Sequence, residues 1–240
     1  ALGTLIGFYM LPGLVIALPG GVLGRRFGET RVCLLGLALM AAGGLLMGVA
    51  ETYAFAATGR VLAGVGGVII NVLLTKMVAD WFAGREMMTA MALFVNSWPV
   101  GIAFGLMTIG PMAAATGWAM VMHVSAAISA LCLVLLAVFY RPPPAAHRSG
   151  AGQWMGLFHL GFEGREFVLV LLAGTIWSLF NVAFILMVSF APEFLITGGH
   201  SQIEAGAVVS IATWMTVLMG PAGGYLAERW GRPSLMLAME

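Results

Sequence analysis

Charge is what this sequence lacks most. Only 9% of its 240 residues are Asp, Glu, Lys or Arg, where an ordinary soluble domain carries roughly 25%. With 61% of residues hydrophobic, too little polar surface is left to cover a water-soluble fold, which argues against a soluble enzyme. The formal net charge of +1 provides no basic field, so no nucleic acid is expected as a partner. Lysine occurs once, at Lys76, and no glycine precedes it, so a phosphate-binding loop and ATP hydrolysis are excluded. G-x-S-x-G and H-E-x-x-H are missing too. No catalytic residue, cofactor or metal is expected, and the chain does not read as an enzyme. Cysteine is scarce. Cys33 and Cys132 both lie in apolar runs and read as small hydrophobes, with no disulfide framework.

Glycine (33) and methionine (17) are abundant, as suits closely packed membrane helices. A helix needs about 20 apolar residues to cross a bilayer. Seven such runs occur, over residues 1–24, 32–50, 54–79, 87–110, 118–140, 167–190 and 205–226. An eighth starts near Ser234 and stops at Glu240. None alternates with period two, which argues against a β-barrel. The first run has no basic leader and is too long for a signal peptide. These runs predict an all-α membrane protein embedded in a lipid bilayer.

Arg25, Arg26, Arg31, Lys76, Arg85, Arg141, Arg148, Arg165, Arg229 and Arg232 all follow odd-numbered runs or flank the junction of the third and fourth. The opposite loops hold Glu51, Glu193 and Glu204 and no basic residue. The basic side is therefore assigned to the cytoplasm. Residues 141–166 form the one long linker. Pro142, Pro143 and Pro144 end the fifth run, and Trp154, Leu157, Phe158 and Phe162 recur at helical spacing, as in a helix lying in the membrane interface.

A repeat organises these runs. Residues 20–29 read GGVLGRRFGE and residues 223–232 read GGYLAERWGR, an offset of 203. Gly20, Gly21, Leu23, Arg26 and Gly28 recur identically, with six apolar runs between the copies. The repeat unit is therefore six helices, with the motif after the second helix of each unit. Parallel six-helix repeats joined by a cytoplasmic linker are a transporter architecture.

The motif resembles G-x-L-a-D-R-x-G-R, the loop signature of the major facilitator superfamily. The copy from Gly224 to Arg232 follows it nearly throughout, with Glu228 in place of the Asp, and includes Arg229 and Gly231. The copy from Gly21 departs, with Arg25 for the Asp and Glu29 for the later Arg. Gly59-Arg60 followed by Gly64, Gly66 and Gly67 resembles the family's fourth helix. Residues 71–105, with Asn96-Ser97-Trp98-Pro99, resemble the cyanate-permease-like branch. The helix-5 antiporter motif is missing. The resemblance implies a major facilitator type helical bundle. The chain then reads as a fragment covering helices 2 to 8 and the start of helix 9 of an expected 12. Residues 1–140 belong to the N-terminal half, 141–166 are the linker, and 167–240 begin the C-terminal half.

Arg60 lies about six residues inside the outer end of the third run. A charge at such depth costs about 2.5–3.5 kcal/mol on insertion scales, so it faces a cavity or a partner, or snorkels to the headgroups. As a guanidinium it can grip an anion with two donors. Asn71 and Asn96 sit at similar depth on adjacent runs, where they pair or face a solute; pairing is the favoured reading. Trp98, Trp177 and Trp214 lie near mid-membrane, away from the interface tryptophan prefers, as cavity lining or as packing. Asn181 and Tyr9 are further candidates for substrate binding. His123 reads as a structural histidine, and Gly101 with Gly105 as a close-packing face. The resemblance implies a gating motif of Gly21, Arg25, Arg26, Gly28, Gly224, Glu228, Arg229, Gly231 and Arg232, with Arg26 paired in the outward-open state to Asp80 at the inner end of the fourth helix.

The expected function is secondary active transport of a small solute, organic or inorganic anion first, by alternating access. A coupling ion such as a proton would drive it. The protein would be a monomer in the plasma membrane, as in a bacterial inner membrane. Export of a hydrophobic compound, or a non-transporting sensor or scaffold, are the alternatives.

Overall fold

The computed structural model describes residues 2–82, 87–142 and 164–230, and every regular element among them is a helix. In order these are α1 (Leu2–Met10), α2 (Pro12–Phe27), α3 (Glu29–Gly48), α4 (Tyr53–Trp81), α5 (Met87–Thr116), α6 (Trp118–Phe139), α7 (Gly164–Thr197) and α8 (Gln202–Trp230). Seven helical spans among them are long and apolar enough to cross a membrane, one for each apolar run. In the first run Pro12 has no N–H to continue the ladder and starts α2, while Leu11 keeps helical dihedrals, so Gly7–Phe27 makes one span. The interfacial helix expected around Trp154 lies outside the described residues.

Two expectations are corrected at the helix ends. Residues 20–29 were expected as a loop, but α2 runs to Phe27 and α3 begins at Glu29. Only Gly28 leaves the helix, at φ 93°, a conformation that side chains disfavour. Gly117 makes the same one-residue break between α5 and α6, at φ 84°. Secondly, α5 continues to Thr116 and α7 to Thr197, beyond the apolar runs. Each extension includes a proline, Pro111 in α5 and Pro192 in α7, and ends on a threonine. Thr116 satisfies its own hydroxyl by donating to Met112 O at 2.8 Å.

The chain divides into two compact units. One comprises residues 1–98 and 111–149, the other residues 99–110 and 150–240. In the first, α3 packs on α4 and α6, and α4 also carries α1 and α2. Bare backbone permits this closeness. A Cβ on Gly43 would lie 2.5 Å from Gly59 O, and one on Gly36 would lie 3.1 Å from Gly66 O. Both pairs are seven residues apart on each helix, so two antiparallel helices meet twice on one face. Below the glycines lies an apolar cluster of Val32, Cys33, Ile69, Leu73 and Met77. On the other side of α3, a Cβ on Gly48 would meet His123 Nε2 at 2.8 Å, so the imidazole packs directly on helix backbone.

In the second unit α7 packs on α8. α8 also touches the middle of α5: Ser210, 1% exposed, donates to Ala103 O at 2.9 Å, and a Cβ on Gly206 would lie 2.9 Å from Leu106 O. Here the expected Gly101–Gly105 packing face is corrected. Among the described residues, a Cβ on Gly101 would meet nothing within 4 Å and one on Gly105 only Ile109 of its own helix. The α5 face toward α8 is the one carrying Ala103 and Leu106, three residues apart. The α7–α8 turn contains Gly199 at φ 97° and closes with a capping box. Ser201 N donates to Glu204 Oε2 at 2.9 Å, and Glu204 N to Ser201 Oγ at 3.2 Å.

Candidate functional site

Arg60 is the eighth residue of α4, about 10 Å along the helix from its start. Arg60, Gly64, Gly67 and Asn71 recur at i, i+4, i+7 and i+11, which puts them on one stripe of α4. Two other faces of α4 are occupied, by α3 at Gly59 and Gly66 and by α2 at Ile69, Val72 and Leu73. The Arg60 stripe meets α1. There Tyr9 lies along α4: its backbone carbonyl abuts Gly64, and its hydroxyl would be 2.7 Å from a Cβ on Gly67. The Arg60 guanidinium carbon stands 5.8 Å from the centre of the Tyr9 ring, within cation–π range.

Two of the candidates read from the sequence are thus brought together, Tyr9 and Arg60. Arg60 Nε is buried and has no hydrogen-bond partner among the described residues. A buried donor left unpaired costs about 1–3 kcal/mol, more when charged. The Tyr9 ring offers its face to the cation, while a hydrogen-bond acceptor in the guanidinium plane is what Nε lacks. Snorkelling would instead carry the donors to the headgroups.

Asn71 sits further down the same stripe, about 16 Å from Arg60 along the axis. It is exposed, and only its backbone carbonyl is engaged, by Thr75 Oγ1 at 2.7 Å. The favoured Asn71–Asn96 pairing is not among the described hydrogen bonds: α4 packs on α1, α2 and α3. Asn96 is partly buried on α5, and Trp98 is 41% exposed. On α7, Trp177 is exposed and stacks on Phe180 at 5.9 Å, which stacks on Phe184 at 6.2 Å. Asn181 donates to Trp177 O at 2.8 Å, which ties its amide to its own helix. Trp214 is partly buried on α8.

The start of α3 and the end of α4 hold a second polar cluster. Lys76 Nζ donates to Asp80 Oδ2 at 2.7 Å and also to Glu29 Oε1. Asp80 is buried, at 4% exposure, while Lys76 and Glu29 are partly exposed. One ammonium thus joins the first turn of α3 to the last turns of α4. The Arg26–Asp80 pair expected of the outward-open state is not among the described ion pairs. Lys76 holds Asp80, and the Arg26 guanidinium lies over the Phe27 ring at 5.5 Å. The reason is local: Lys76 is one turn from Asp80 on the same helix, whereas Arg26 is exposed at the end of α2. Glu29 and Lys76 are the functional candidates that sequence reading missed. The i, i+4 spacing of Lys76 and Asp80 was a usable signal.

Within the motif, Gly21 faces α4, where a Cβ would sit 3.7 Å from Val72, and Arg25 is exposed. In the second copy, Gly224, Glu228 and Arg229 lie on the helical backbone of α8, while Gly231 and Arg232 fall outside the described residues.

Compared with known protein families, the chain matches the Major Facilitator Superfamily over residues 1–239. None of the curated proteins compared with it matches. The family match covers nearly the whole sequence and agrees with seven helical spans long enough to cross a membrane. The chain belongs to the major facilitator superfamily, a family of secondary membrane transporters.

Proposed function

We propose that the protein carries a small anionic solute across the membrane by alternating access, with Arg60 as the group that binds the anion. The observation that carries this reading is the buried, unpaired Nε of Arg60 inside a spanning helix. Keeping a guanidinium at that depth is costly, and among the described residues a ring lies beside the cation but no acceptor meets its Nε donor. A carboxylate or other oxyanion provides acceptors in the guanidinium plane, in a geometry that lysine cannot copy. The resemblance of residues 71–105 to the cyanate-permease-like branch points the same way, toward a small anion. Asn71, exposed on the same stripe, is the next candidate for a solute contact, and a proton is the proposed coupling ion. The test is uptake of labelled acetate, nitrate and sulfate into proteoliposomes by wild type, Arg60→Lys and Arg60→Gln. Loss of uptake in Arg60→Gln supports the reading, and equal uptake in all three rejects it.

A second reading, transport of a hydrophobic compound, draws on one observation: the stacked Trp177, Phe180 and Phe184 run on α7, with Trp177 59% exposed. Under that reading Trp177→Ala impairs transport and Arg60→Gln does not.

A further inference from the structure

The seat of Tyr9 on α4 is built from two absences. Gly64 has no side chain where the Tyr9 backbone carbonyl presses on α4, and Gly67 has none where the phenol ends. Both lie on the stripe that begins with Arg60, so the same two gaps fix where the ring stands relative to the guanidinium. The guanidinium carbon then stands over the ring, 5.8 Å from its centre. A long side chain with several rotatable bonds would otherwise sample many directions, and a fixed ring beside the cation restricts them.

We propose that Tyr9 is the positioning residue of Arg60, with Gly64 and Gly67 as its seat. The ring holds the guanidinium in one orientation, so that a ligand reaches it along the N–H donors. It is the ring that acts, and the hydroxyl only sets the fit against Gly67. This inference rests on the reading of Arg60 as the anion-binding group for its consequence in transport, but the geometry itself is testable without any solute.

The test uses phenylglyoxal, a small reagent that modifies guanidinium groups. Its adduct at Arg60 is quantified by peptide mass spectrometry relative to exposed Arg25 in the same reconstituted protein. Wild type and Tyr9→Phe are expected to react slowly and within about twofold of each other. Tyr9→Leu is expected to raise the Arg60 rate at least about threefold. Gly67→Ala is expected to do the same, because its Cβ would meet the Tyr9 hydroxyl at 2.7 Å and lift the ring. The double variant Tyr9→Phe/Gly67→Ala removes that hydroxyl, leaving the ring carbon at 3.4 Å as the nearest atom, an ordinary contact. It is expected to return to the wild-type rate. A Tyr9→Leu rate equal to wild type, or a failure of the double variant to recover, overturns the proposal. In acetate uptake, Tyr9→Leu and Gly67→Ala should raise KM several-fold with kcat within about twofold, and the double variant should recover. If Arg60→Gln abolishes uptake while Tyr9→Leu leaves KM unchanged, positioning is refuted and the anion reading stands. If Arg60→Gln changes nothing, the anion reading falls, and the reactivity series still decides the positioning.

Discussion

Placing one methyl group at Gly43 tests the packing on which the Arg60 site depends. In Gly43→Ala the new Cβ would lie 2.5 Å from Gly59 O, 2.7 Å from Ala63 N and 2.9 Å from Ala63 Cβ. The first two are backbone atoms of α4, so no rotamer change relieves them. An ordinary contact begins at 3.4 Å, so α3 and α4 must part by about 0.9 Å at this level. The second glycine contact, Gly36 with Gly66, lies about 10 Å along the axis and resists a simple tilt. Overpacking of this kind costs about 1–3 kcal/mol. Alanine returns up to about 1 kcal/mol through its better helix propensity. The expected net loss is about 1–2 kcal/mol, or a fall of roughly 3–6 °C in apparent Tm for a chain of this size. Gly101→Ala is the control: it adds the same methyl where nothing lies within 4 Å, so it should melt at or slightly above wild type. The assay is loss of the monodisperse size-exclusion peak after heating in detergent. If Gly43→Ala melts as high as Gly101→Ala, the two helices do not meet backbone to backbone and the packing argument is wrong.

Other outcomes follow from single contacts. Gly28→Ala forces a side chain into φ 93° with ψ 128° and should cost about 1–3 kcal/mol, read in the same melting assay. Lys76→Met removes the cation shared by Glu29 and Asp80, so it should lower the Tm more than Glu29→Gln, which leaves the Asp80 contact in place. Because Lys76 is partly exposed, its loss should stay near 1 kcal/mol and shrink in high salt. For topology, Arg25→Cys should label with an impermeant thiol reagent only from the cytoplasmic side and Glu51→Cys only from outside, in a Cys33→Ala/Cys132→Ala background. Labelling of both from one side would reverse the assigned orientation.

The helices were legible because a lipid-embedded chain announces them by unbroken apolar length, and Pro12, Gly28 and Gly117 punctuate them. Their ends were less so, since apolarity stops at residue 190 while hydrogen bonding carries α7 on to Thr197. Which glycines pack was legible only in part. A small-xxx-small pair such as Gly101 and Gly105 says that a face is smooth, not that a neighbour lies against it. The seven-residue spacing shared by Gly36–Gly43 and Gly59–Gly66 held the stronger signal, because two adjacent antiparallel helices repeat it. Arg60 and Tyr9 each stood out as a polar group in an apolar run. Their contact depends on how α1 is rotated against α4, which no pattern within either segment encodes. The Lys76 cluster was hidden for a related reason: Glu29 looked like the middle of a loop, and its carboxylate reaches Lys76 only because α3 starts there.

The most direct test of anion binding by Arg60 is substrate affinity across wild type, Arg60→Lys and Arg60→Gln, measured as KM for acetate, nitrate or sulfate uptake in proteoliposomes. Losing a two-pronged, charge-assisted contact is expected to cost roughly 2 kcal/mol, or about a 30-fold rise in the constant, for Arg60→Gln. Arg60→Lys keeps the charge without the planar fork and should fall between. Equal constants for all three proteins would leave Arg60 as a membrane anchor and contradict the account.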